Sequence, residues 1–576
     1  MSFTFTASAA DWGRIAPEVV LAAFALLVLM ADLLLPAQRQ PGKDTRAGNF
    51  MVLPALSLLG VAGSFIASIV LFNIGDNLPA FNHMIGSDAG SLYAYFIILS
   101  ASALGIALSP AYLKRLKLVH QGEYYALMLL GTVGMMIMAA ATSFLSIFLG
   151  LEMLSLALYI LCGFVARRGT SQESGMKYFL LSSFASAILL YGIALIYGAT
   201  GNTSFAGIQH YLFRTVQLVH AASLPPGTQI PVSTLLLTGM GLLVVGFAFK
   251  VSAVPFQAWT PDVYDGAPAP VTAFMSVGTK AAAMIAFARV FDIVFGPISN
   301  DWLPVVWAIA VLTIVGGNIL ALVQSNLKRL LAYSSIAHAG YLLIGVVAGG
   351  TVGISAILFY LFCYTFLNLG AFGVVSVLER ADNSGNSLTE LRGLWYRQPS
   401  LAGLLAFFLL ALAGFPPMAG FAAKYYIFYA ALQSGHPELL IIGVLASVLG
   451  MYYYLRFIAA MFMERQPGAQ AGAQAATLPA TSTAPIAPAP ASSRRASGRL
   501  SGSGSAAASA VAVRSPASPL VKEKAADAAE PHMAIGWTSW LALGACAVGT
   551  LLMGTVLAYW LVNLAQFAAS IMMRVM

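Results

Sequence analysis

Residues 249–280 read FKVSAVPFQAWTPDVYDGAPAPVTAFMSVGTK. The stretch closes one apolar run, 232–263, and opens the next. Lys250 stands five residues before Pro255, and Lys280 sits in the middle of the run that follows. Proline removes a backbone donor and breaks the helical ladder, and carbonyls freed at membrane depth are tolerated only inside protein or along a wet cavity. The stretch therefore predicts a helix broken within a membrane, with an amine on either side. A second stretch, 401–431, has the same character: Gly414–Phe428 reads GFPPMAGFAAKYYIF, placing Pro416 and Pro417 before Lys424.

The rest of the chain supports a membrane setting. Of its 576 residues 59% are hydrophobic and 9% charged, against roughly 25% charged in soluble domains. Mean hydropathy is +0.83. Apolar runs long enough to cross a hydrocarbon core recur along the length, giving spans near 15–35, 51–72, 91–108, 124–141, 143–165, 177–198, 232–263, 268–295, 302–324, 328–348, 352–377, 401–431, 438–463 and 535–562. The expected fold is an all-α polytopic membrane protein of about fourteen transmembrane helices. The first run follows Asp11 and Arg14 without a basic leader, so it reads as a span and not as a removed signal.

The net charge of +8 does not imply nucleic acid, because the basic residues fall in short loops instead of an aromatic-interleaved patch. Arg39, Lys43 and Arg46; Lys114, Arg115 and Lys117; Arg167 and Arg168; Lys328 and Arg329; and Arg380, Arg392 and Arg397 alternate onto one side. That side is expected to be cytoplasmic, with both termini facing the periplasm. Cys162, Cys363 and Cys546 lie in separate apolar runs and form no ligand motif. A Gly-rich nucleotide fingerprint in a strand-turn-helix setting is also missing.

The two broken spans are each the fourth of five, in blocks of spans four to eight and nine to thirteen. An odd number of helices per block turns the second upside down relative to the first, so two inverted five-helix repeats are expected, each with a discontinuous helix. The domain division follows: a three-helix segment 1–122, a first repeat 123–295, a second repeat 296–463, and a C-terminal helix 535–576. Between the last two, 464–534 is rich in Ala, Pro, Ser and Gly, which predicts a disordered cytoplasmic loop.

Four ionisable residues fall at membrane depth: Glu152 in FLGLEMLSLALY, Lys250, Lys280 and Lys424. Each unpaired charge costs roughly 2.5–3.5 kcal/mol at a bilayer centre, so they must pair, hydrate or neutralise. An inert ion pair of Glu152 with Lys250 would account for two of them and leaves Lys280 and Lys424 unexplained. Burial disfavours the charged form of an amine, which suits a group that gains and loses protons. A carboxylate ~6 Å away at an effective dielectric of ~20 changes that balance by roughly 2.8 kcal/mol. His338 is a candidate relay or a hydrogen-bonded packing histidine. Asp262 and Asp265, past the first break, collect protons or cap helices. Lys177 and Arg456 read as snorkelling side chains near helix ends.

At these residues the chain resembles the antiporter-like subunits of proton-pumping NADH-quinone oxidoreductase, respiratory complex I, in particular the bacterial subunit N branch. The carriers are GLE around Glu152, the stretch 249–280, NLKRLLAYSSIAHAGY at 326–341, and 414–428. The M branch has a glutamate where Lys424 stands, and the L branch carries extra helices. The resemblance implies a proton-translocating membrane-arm subunit in which Glu152 and Lys250 form a modulating pair, Lys280 continues a central polar axis, and Lys424 faces the outer half-channel. It further implies a hetero-oligomer with other membrane-arm subunits in the bacterial inner membrane, in contact with lipid. NADH, flavin, iron-sulfur clusters and quinone would be held by other subunits, with no cofactor or metal in this chain. Many relatives have histidine where Gln257 stands, so water would have to bridge Lys250 and Lys280. A Mrp-type cation/proton antiporter or membrane hydrogenase subunit shares the lysine axis, and a structural scaffold is the alternative of another kind.

Overall fold

The computed structural model describes residues 8–35, 49–118, 121–221, 233–463 and 536–574. The expected loop at 464–534 lies outside the described residues, as do Arg39, Lys43 and Arg46. Among the described residues thirteen helices are long and apolar enough to cross a membrane. A further crossing is divided in two, Pro399–Ala413 and Ala419–Gln433, so the expected fourteen spans are present.

In chain order, α1 is Ala16–Leu34, α2 Asn49–Ile74 and α3 Ala89–Arg115. The first repeat follows with α4 (Gly122–Ala139), α5 (Phe144–Cys162), α6 (Gly169–Thr200), a broken pair α7 (Thr234–Val251) and α8 (Trp259–Gly266), and α9 (Ala269–Ala288). The second comprises α10 (Ser299–Leu322), α11 (Leu327–Ala348), α12 (Gly350–Leu378), a broken pair α13 (Pro399–Ala413) and α14 (Ala419–Gln433), and α15 (Pro437–Met463). Last come α16 (Trp537–Gly554) and α17 (Ala558–Arg574). α9 is buried along its whole length and α11 nearly so. Helices apolar on every side belong in the middle of a bundle, and these two carry Lys280 and His338.

Short backbone strips show the inversion. At one end of the bundle Phe144 N–H donates to Thr203 C=O (3.0 Å) and Phe205 N–H to Thr142 C=O (3.0 Å). Leu327 N–H donates to Asn386 C=O (2.8 Å) and Leu388 N–H to Ser325 C=O (2.7 Å). The bridged pairs Ser143–Ser204 and Asn326–Ser387 are offset by 183 residues at both members (326 less 143, 387 less 204). The first strip meets Met84 and Ala140, whereas the second meets Asp265 through Asn326 (3.2 Å), at the end where the basic residues gather. Equivalent strips at opposite ends are what an inverted repeat requires. In this register Ser335 is the counterpart of Glu152, and His338 of Ser155.

Three features depart from the sequence reading. The last span is not one rod to residue 562. It breaks at 555–557, where Gly554 packs against the backbone of 417–419 so closely that a Cβ would lie 2.2 Å from the Pro417 carbonyl oxygen. Only glycine admits that approach. A helix at Phe205–Ala221 stands where a loop was expected, with Phe205, Ile208 and Leu212 buried. And α9 runs on through a widened π turn, Arg289–Val294, before α10.

Candidate functional site

The first break puts Lys250 in the last turn of α7, with its amine inside the bundle. The residue is 2% exposed. Its Nζ donates to Ser155 Oγ at 2.7 Å and to the Tyr178 hydroxyl at 3.3 Å, and lies 5.5 Å from the centre of the Tyr178 ring. Trp259, opening α8 beyond the break, stacks on that ring with centroids 4.8 Å apart. An amine against an aromatic face keeps some of its hydration energy without a counter-ion.

Glu152 is not that counter-ion here. It stands one turn from Ser155 on α5, but on the stripe shared with the exposed Leu145, Leu149 and Leu156, and one of its oxygens is buried without a hydrogen-bond partner. Among the described residues no hydrogen bond or ion pair joins the two members of the expected pair. Among the described residues no carboxylate lies within ion-pair distance of Lys250, Lys280 or Lys424.

Lys280, 1% exposed, crosses from the first repeat to the second. Its Nζ donates to both the carbonyl and the hydroxyl of Ser335 on α11, and Tyr364 donates to that hydroxyl at 2.9 Å. The inverted register explains the missing acid: where α5 has Glu152, α11 has this serine. His338 Nδ1 is 2.6 Å from the Tyr360 hydroxyl. On α11 it falls one turn from Ser335, which receives Lys280, and one turn from Tyr341, whose ring lies 5.4 Å from Lys424 Nζ.

Lys424, 6% exposed, uses the second break directly. Its Nζ donates to the Ala413 carbonyl (2.9 Å), released by the end of α13, and to Ser447 Oγ (2.9 Å), and it lies 5.4 Å from the Tyr341 ring centre. Gly414 has φ +93, and a Cβ there would be 3.2 Å from Lys424 Cδ. Pro416 and Pro417 form the turn, as Pro255 does in the first break.

Gln257 reaches neither lysine. Its Oε1 is buried and unpartnered, as are the hydroxyls of Tyr159 and Tyr264 and the Oδ1 of Asn368. Buried polar atoms of this kind mark places for ordered water.

Asp262 and Asp265 lie at the basic end. Asp262 accepts from Lys177 at 2.8 Å and Arg329 at 3.0 Å, so Lys177 is paired where snorkelling was expected. Asp265 accepts from Asn326 and lies 3.9 Å from Arg329. Together with Glu173 and Thr170 they line a cavity of ≈ 100 Å³. Burial pushes Asp265 above the ordinary aspartate range, against the pull of Lys328 and Arg329. Burial also opposes ionisation of Asp262, but the bonds from Lys177 and Arg329 outweigh it and hold that carboxyl below the usual range. Arg456 donates to the Leu322 carbonyl at 3.0 Å.

Sequence reasoning missed three buried charge clusters. Glu379 receives Arg168, Lys328 (3.6 Å), Tyr112 (3.1 Å) and the Ala269 N–H (3.2 Å), joining both repeats at the basic end. Arg289 reaches Asp88 at 2.8 and 3.2 Å at the other end. Tyr95 donates to Glu18. Arg168 and Lys328 read as loop charges in the sequence, and nothing local there pairs Arg168 with Glu379, 211 positions away, or Arg289 with Asp88, 201 positions away.

A bundle of inverted repeats with two interrupted helices and unpaired amines beside the interruptions defines the antiporter-like class of membrane subunit. The family described as NADH:quinone oxidoreductase/Mrp antiporter, TM matches residues 141–450, and the chain belongs to it. A relative from Trichlorobacter lovleyi, NADH-quinone oxidoreductase subunit N, is 42% identical over 456 residues, covering 79% of this chain and 88% of its own. A chain of respiratory complex I from Thermus thermophilus with bound aureothin is similar at 32% identity with a TM-score of 0.61, covering 78% of this chain and 92% of that one. A chain of the Mrp complex from Dietzia sp. DQ12-45-1b, at 20% identity, shares the fold over 98% of this chain and 97% of its own with a TM-score of 0.72.

Proposed function

We propose that Lys250, Lys280 and Lys424, with Glu152 and His338, carry protons through this chain. As a member of the subunit N branch the protein is a proton-translocating membrane-arm subunit of an NADH-quinone oxidoreductase, working in a hetero-oligomer with other membrane-arm subunits. Electron transfer from NADH to quinone takes place in other subunits, which hold the NADH, flavin, iron-sulfur clusters and quinone. This chain contributes no redox group. Its place is the bacterial inner membrane, with the basic end cytoplasmic and both termini periplasmic.

The observation that carries this reading is that three lysines at membrane depth rest on hydroxyls, carbonyls and aromatic rings instead of carboxylates. A permanently charged amine in such a setting is costly, so burial favours release of the proton, while the hydroxyls, carbonyls and rings lower the cost of taking it up again. Protons enter by way of the cavity at Asp262 and Asp265 and reach Lys250. Glu152, turning toward or away from Ser155, sets whether Lys250 stays loaded. Water beside Gln257 and Tyr264 bridges to Lys280, and His338 passes the proton to Lys424.

The decisive experiment is NADH-driven acidification by membranes carrying Lys280→Ala in a fully assembled complex. Loss of acidification supports the role, and unchanged acidification removes Lys280 from the path. A scaffold in which the charges only hold helices together predicts instead that Lys250→Ala and Glu152→Ala pump normally and assemble poorly. The fold shared with the Mrp chain supports a cation/proton antiporter reading, which copurification with NADH dehydrogenase activity would exclude.

A further inference from the structure

The lysine line leaves several buried carboxyls unused, Glu18 among them. Glu18 lies in the first turn of α1, directly after Pro17, and is 4% exposed. Tyr95 of α3 donates to its Oε1, while Oε2 is buried with no partner. An ionised carboxylate there would keep one hydrogen bond and a share of the helix N-terminal dipole, and these fall well short of the hydration it gives up. A neutral acid suits the site. Protonated at Oε1, it donates to the Tyr95 oxygen and leaves only its carbonyl oxygen bare.

Asp88, Ser91 and Tyr95 occupy positions i, i+3 and i+7, one face of α3. Arg289 docks on the near end of that face, on Asp88 and on Ser91 Oγ (2.9 Å), and its Nε is buried without a partner. Among the described residues no other ionisable group competes from the elements packed on α1. α2 carries none, α4 carries Glu123, Tyr124 and Tyr125 at the far end, and Asp11 and Arg14 are paired with each other and with Asp76.

This cluster is not another station on the lysine line. Arg289 follows Lys280 on the same continuous helix but half a turn out of phase, so Lys280 faces Ser335 on α11 while Arg289 faces α3. We propose that Glu18, Tyr95, Asp88 and Arg289 form a second proton-holding site, in which Glu18 takes up and releases the proton and Tyr95 is the hydroxyl through which it does so. The helix of Lys280 connects the two sites, because a change of charge at Glu18 alters the field on Arg289, where that helix widens into its π turn. The proposal rests on the reading of this chain as a proton carrier.

The test is the number of protons released per NADH oxidised by the assembled complex carrying Glu18→Gln. Glutamine still accepts from Tyr95, so a purely structural role is rescued, but it cannot take up a proton. The ratio should fall by this chain's share, with NADH oxidation and subunit content retained, and an unchanged ratio overturns the proposal. Lys280→Ala is measured alongside. If it too leaves the ratio unchanged, the reading of the lysine line has failed, whereas a fall with Lys280→Ala alone removes only the Glu18 site. Should Glu18→Gln fail to assemble, Tyr95→Phe, which deletes one hydroxyl, should shift the pH profile of the ratio. A profile identical to that of the unmodified complex would then overturn the proposal.

Discussion

Lys424 donates to the carbonyl of Ala413 at 2.9 Å, reaching back across the break in its own span. The amine satisfies an acceptor that the interruption itself creates, so the break and the charge are one device. Arginine could make the same bond but does not give up its proton at any accessible pH. Lys424→Arg should therefore assemble normally and fail to pump. Losing a positioned proton-transfer group slows its step by roughly 10²–10⁴, so acidification per NADH should drop by this chain's whole share, measured in membrane vesicles with a pH-sensitive dye.

Gly414→Ala tests the same turn from the backbone. At φ +93 a side chain costs roughly 1–2 kcal/mol, and the added methyl presses on the Lys424 stem. The expected result is a lower thermal midpoint of the complex together with reduced acidification. Gly13→Ala, where nothing lies within 4 Å, should change neither.

Buried and exposed ion pairs should behave differently. Arg289 and Asp88 are each 1% exposed at the side chain, and removing one partner strands the other. Asp88→Ala should cost about 3–5 kcal/mol, seen as loss of assembled complex or a steep fall in its unfolding temperature. Lys177 and Glu173 are 41% and 61% exposed, and Glu173→Ala should move stability by less than ~1 kcal/mol.

The two aspartates at the basic end should separate by pH. Asp265, raised by burial, keeps its proton at pH values where Asp262, lowered by Lys177 and Arg329 despite burial, has lost its own. Stability lent by Asp265 is present at low pH and lost as pH rises through its raised value. Stability lent by Asp262 is present at higher pH and lost as pH falls through its lowered value. Asp265→Asn should flatten the pH dependence of acidification above the ordinary aspartate range, and Asp262→Asn should affect only its acid limb. Rate measurements across that range with each variant decide it.

Much of this was legible without coordinates, for local reasons. Apolar length and proline act where they stand, so the spans and the breaks at Pro255, Pro416 and Pro417 could be read directly. The break at 555–557 could not, because Gly554 is demanded by a neighbour more than a hundred residues away and no proline announces it. Lys250, Lys280 and Lys424 stood out because an amine in an apolar run has no cheap explanation. Arg168 looked like an ordinary loop charge, because its partner Glu379 stands 211 positions away.

Composition and periodicity by themselves determined that this chain is a membrane bundle with two broken helices and amines beside the breaks, since burial and backbone hydrogen bonding in lipid leave no other use for such segments. Only the tertiary structure decided which atoms those amines touch. It set Lys250 on Ser155 and Tyr178 with Glu152 apart, matched Ser335 to the glutamate by the inverted register, and gathered Glu379, Asp88 and Glu18 into buried clusters. Contacts of that kind depend on how helices distant in sequence are brought side by side, and no local pattern of residues encodes that distance.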